Sequence, residues 1–161
     1  MAATNVDATA EQIAENTTTS QQSFYKKFRS GYSGILRWPQ LDELWTVMRF
    51  KADAGWYIYA IGETVPEQPA TAEQLNKFIT EIDSLLRKEH GEDYCGIVYV
   101  DDKVDPTFIK IFDPNNLGVV CGFSDNPPLP GWIVSLIKPE MLDENTFLPQ
   151  SRKRWWKRLF S

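Results

Sequence analysis

The sequence predicts a single α+β domain, a mixed four- to five-stranded sheet with two main helices packed largely on one face. Three observations carry that expectation. The chain has 161 residues, 42% of them hydrophobic and 13% aromatic, which supplies a core of single-domain size. One long segment, residues 71–90, has a clear helical period. Several short aromatic or β-branched runs bounded by Gly, Pro, Asn and Asp surround it, as strands and turns do.

Taken in order, residues 1–22 read as a disordered tail, because Thr17-Thr18-Thr19-Ser20-Gln21-Gln22 offers nothing to bury. Structure is expected from Ser23, with the domain proper over 23–150 and a separate basic aromatic segment over 151–161. From Pro39, the spacing of Leu41, Leu44, Trp45 and Met48 predicts a helix to about Lys51, with Pro39 suited to its first position. A strand over 46–50, hairpinned by Ala52-Asp53-Ala54-Gly55, competes with it. Residues 56–61, Trp-Tyr-Ile-Tyr-Ala-Ile between glycines, are a strand. The next helix opens with Thr71 and Gln74 in capping-box spacing. It carries Leu75, Phe78, Ile79, Ile82, Leu85 and Leu86 on one face and stops at Gly91.

Three strand patterns follow, at 94–100, 107–112 and 117–123, divided by Asp101-Asp102-Lys103 and Asp113-Pro114-Asn115-Asn116. The helix between strands 56–61 and 94–100 suggests a crossover joining parallel neighbours, and the later strands are expected as antiparallel hairpins. Residues 132–137 fit a last strand or a short helix equally well.

Charge is distributed unevenly behind the net of −5. Residues 1–23 hold Asp7, Glu11 and Glu15 and no Lys or Arg. Residues 24–38 hold Lys26, Lys27, Arg29 and Arg37 and no acid, and residues 151–161 hold Arg152, Lys153, Arg154, Lys157 and Arg158, again with no acid. The stretch between them carries 19 acids against 8 bases. An acidic body with two basic, aromatic-rich segments is the result.

Chemical motifs are sparse. Cys95 and Cys121 sit inside apolar runs and read as buried thiols, and two Cys with one His make a poor zinc set. His90, the only histidine, ends the long helix, where the dipole gives it a structural reason. Asp101, Asp102 and Asp105 crowd one turn without the spacing of a calcium loop, and both common Gly-rich phosphate motifs are missing. No metal or cofactor is expected. Lys110 alternates onto the same face as Phe108 and Phe112, as a snorkelling lysine at a sheet edge would.

These features favour a small non-catalytic accessory or interaction protein, cytoplasmic and able to associate peripherally with membranes. Its contact residues would be Arg152, Arg154, Trp155, Trp156, Lys157, Arg158 and Phe160, set against an unknown protein partner or an anionic membrane surface. Nucleic acid ranks below both, since the acidic body repels phosphate. Two other readings compete. The C-terminal segment could instead fold back onto the acidic body, its Trp rings filling grooves. A small-molecule-binding protein or enzyme would use a pocket between the sheet and the first helix, lined by Tyr57, Tyr59, Cys95 or Lys110.

Overall fold

A computed structural model describes residues 23–116, 129–142 and 150–160 of the chain. Helix α1 covers residues 23–28. Then come β1 (Ser33–Ile35), α2 (Trp38–Phe50), β2 (Tyr57–Ala60), α3 (Ala72–Glu89), β3 (Val98–Val100), β4 (Phe108–Ile111), β5 (Trp132–Ser135) and α4 (Gln150–Phe160).

Both long helices form where their sequence signals lie. In α2, the backbone N–H of Arg37 donates to Gln40 Oε1 at 3.0 Å, and Leu41, Leu44, Trp45 and Met48 are buried. The competing strand over 46–50 is excluded. In α3, Thr71 Oγ1 accepts from the Gln74 N–H at 3.1 Å while Gln74 Oε1 accepts from the Thr71 N–H at 2.9 Å, a reciprocal cap. All six apolar residues of its predicted face are buried. The helices are held side by side by Arg87, which pairs with Asp42 at 2.7 Å and Asp83 at 3.0 Å, and by Trp45 Nε1, which donates to Asp83 Oδ1 at 3.1 Å.

The sheet has five strands in the order β1-β3-β4-β5-β2, and every neighbouring pair is antiparallel. This corrects the expectation of a mixed sheet with a parallel crossover. β2 and β3, which flank α3, are separated by two strands and run in opposite directions. The reason is β1, which sequence patterning did not signal. Before β3 begins, the Cys95 and Gly96 N–H groups donate to the carbonyls of Leu36 and Ile35, both at 2.8 Å. The chain leaving α3 is thus anchored beside β1, at the other end of the strand order from β2. Gly34 suits that edge, because a Cβ there would lie 3.3 Å from Cε1 of Tyr99 in the next strand. The 94–100 strand is correspondingly shorter than expected; Gly96 turns there at φ 68° and pairing starts at Val98.

Register divides the sheet into two faces. Ile35, Ile58, Ala60, Val98, Val100, Ile109, Ile111, Trp132 and Val134 belong to the larger core, shared with the buried faces of α2 and α3. The opposite face carries a smaller core of Tyr59, Phe108 and Ile133, with Ile61 just beyond β2, closed by Phe24 of α1. The two main helices therefore lie on one face, as expected, while α1 covers part of the other. Residues 132–137 resolve as strand β5, and the predicted strand 117–123, with Cys121, falls outside the described residues, as does the 1–22 tail.

Candidate functional site: the C-terminal helix

Residues 150–160 form one helix whose two sides differ completely. At about 100° per residue, Arg152, Trp156 and Leu159 share a face with the flanking Trp155 and Phe160, while Arg154, Lys157 and Arg158 share the other. The first set faces the domain. Leu159 is buried in the larger core, and Trp155, Trp156 and Phe160 pack against it. Trp155 meets Trp132 of β5 edge to face at 5.6 Å between centroids, and Trp156 meets Phe78 of α3 at 6.4 Å. The boundary expected at residue 150 therefore does not separate this segment from the body.

Arg152 fixes the dock. Only 6% exposed, its guanidinium donates from Nε to Asp113 Oδ2 at 2.8 Å and from Nη2 to Asp113 Oδ1 at 2.9 Å, and it also pairs with Glu89, the last residue of α3. Asp113, just beyond β4, is 5% exposed and accepts a further bond from the Asn115 N–H at 2.9 Å. Hydrogen bonding to Asp113 is the main reason the guanidinium is held in its charged form, against the burial that opposes it. One buried cation thus joins the ends of α3 and β4 to α4. Sequence reasoning placed Arg152 among outward contacts; its burial between two carboxylates is the correction. Asp113 was read only as a turn residue, and no local signal announces a partner 39 positions away.

The outward side keeps the opposite chemistry. Arg154, Lys157 and Arg158 are exposed. Lys77 of α3 joins them, with Nζ 3.5 Å from the carbonyl oxygen of Arg158. Lys77, Glu81, Trp155, Arg158 and Leu159 line a shallow groove of about 230 Å³ between α3 and α4. Trp155 and Leu159 are its apolar residues, and Glu81 is the one acid among the described residues that line it. Cations in the last turn of α4 also complement the negative end of its dipole.

The four residues of the alternative pocket do not all lie on one face of the sheet. Cys95 is buried in the core on the helix side of the sheet, whereas Tyr59 and Lys110 share a register row on the far side, and Tyr57 stands two residues from Tyr59 on an edge strand. Lys110 belongs to the central strand, not to an edge. Its Nζ donates to the Phe28 carbonyl and lies 4.1 and 4.0 Å from the ring centroids of Phe28 and Tyr32. Desolvation lowers its pKa to about 8, and burial raises that of Tyr32 to about 12. The ammonium is thereby committed to the last carbonyl of α1, an otherwise orphaned acceptor. His90 caps α3 between the rings of Trp38 and Tyr94, where its Nε2 is buried without a hydrogen-bond partner among the described residues.

No helix among the described residues is long and apolar enough to cross a membrane. Comparison of the chain with protein-family models, with curated proteins and with solved structures returned no match.

Proposed function

We propose that the chain is a non-catalytic interaction protein whose contact element is α4, presenting Arg154, Lys157 and Arg158 to the acidic surface of a protein partner. The observation that carries this reading is the segregation of α4: its rings and Arg152 are spent on the body while three cations stand exposed together. The inward commitment of Trp155 and Trp156 favours a protein surface over a membrane. Stable peripheral anchoring calls for an apolar insertion as well as charge, and the rings are engaged in the core. An electrostatic contact of this kind binds reversibly and weakens with salt.

The test uses the full chain and polyglutamate as an acidic polypeptide, with phosphatidylserine vesicles as a parallel arm, at low and high salt. Combined Arg154→Gln, Lys157→Gln and Arg158→Gln substitutions should leave thermal stability nearly unchanged and weaken polyglutamate binding by roughly tenfold, since each exposed cation contributes only a fraction of a kcal/mol. Equal binding by the neutralised chain would overturn the proposal. Stronger binding to vesicles than to polyglutamate would transfer the contact to membranes.

A further inference from the structure

The groove between α3 and α4 is lined by two apolar residues, Trp155 and Leu159, and two cations, Lys77 and Arg158. A segment that fits it needs an apolar row beside an acidic row. Residues 1–22 have both. Asp7, Glu11 and Glu15 recur every four residues, Val6, Ala10, Ile13 and Ala14 follow i, i+4, i+7, i+8, and no Lys or Arg interrupts them. On a helix these two rows are adjacent, the pattern of an amphipathic segment laid into a groove.

The tail joins α1, which packs on the sheet face opposite α4. The linking residues must therefore pass around an edge of the sheet. The polar residues 16–22 can extend about 25 Å.

Resting on the reading of α4 as the contact element, we infer that the acidic N-terminal segment of this same chain, residues 6–15, docks in the α3–α4 groove and competes with the acidic partner. A tethered competitor acts at an effective concentration near the millimolar range, so even weak docking masks Arg158, the contact cation that lines the groove. Glu81 at the groove opposes the acidic row and limits how tightly it docks.

Two measurements on the full chain decide this. Carbodiimide coupling at low salt, read by mass spectrometry on the monomer, should join Glu11 or Glu15 to Lys77, the lysine that lines the groove, and high salt should abolish the product. Neutralising the tail by Asp7→Asn, Glu11→Gln and Glu15→Gln should raise polyglutamate affinity by about tenfold. If wild type and the tail variant bind polyglutamate equally, the inference is overturned and the contact reading stands. If neither binds at low salt, the contact reading itself fails, and the inference with it. Cross-links found solely in dimers would replace the intramolecular dock with exchange between copies and overturn the inference as stated.

Discussion

Arg152 illustrates how a single side chain changes meaning once its neighbours are known. In sequence it is one of five cations; in the fold it is the buried counterion of Asp113 and Glu89. Removing one partner of a buried pair leaves the other charge uncompensated, which is costlier than the pair is stabilising. Arg152→Ala should therefore cost about 3 kcal/mol in urea unfolding, and adding Asp113→Asn to it should recover part of the loss. Asp101 offers a second residue-scale case. Burial raises its carboxyl pKa, but the Thr107 hydroxyl and N–H, the Lys27 ammonium at 3.0 Å and the Phe108 N–H outweigh burial and hold it down to about 2. A carboxylate lowered on folding stabilises the native state above its unfolded pKa near 4. That stability is lost as pH falls toward 2. Asp101→Asn should lower stability at pH 7 by about 2 kcal/mol and flatten the acid limb between pH 4 and pH 2.

At the scale of elements, period and capping made α2 and α3 legible because each helix carries its own evidence in contiguous sequence. Ile82, fully buried on the predicted face of α3, faces the larger core. Ile82→Ala should cost about 2 to 4 kcal/mol by calorimetry or denaturant titration, with polyglutamate binding unchanged at temperatures where the variant stays folded. β1 was illegible for the opposite reason. Ser33, Gly34 and Ile35 carry no strand propensity as a group, and only the neighbouring ring of Tyr99 explains the glycine. α4 was half legible. Its cations and rings were visible, but a helix of eleven residues with five cations looks the same whether its rings seek a partner or their own domain. The arbiter is Trp132 and Phe78, far away in sequence, against which the rings pack.

For the molecule as a whole, class and the placement of α2 and α3 followed from the sequence, and strand order did not. Local patterning cannot report which strands are neighbours, and the rule that a strand-helix-strand unit pairs side by side failed here, since β3 lies between β1 and β4 while β2 pairs with β5. That order bears on how the chain emerges from the ribosome. The first two strands to be made become the two outer rims of the sheet, and the three made later fill its middle. Among the described residues β2 has β5 as its one strand partner, about 70 residues downstream. At roughly 5 to 20 residues per second, its unpaired edge waits on the order of 4 to 14 seconds during translation. In that interval α3, the next element made, is available to shelter Ile58 and Ala60, the β2 side chains it will share a core with. The amphipathic face of α3 is thus the first core-forming surface made after β2.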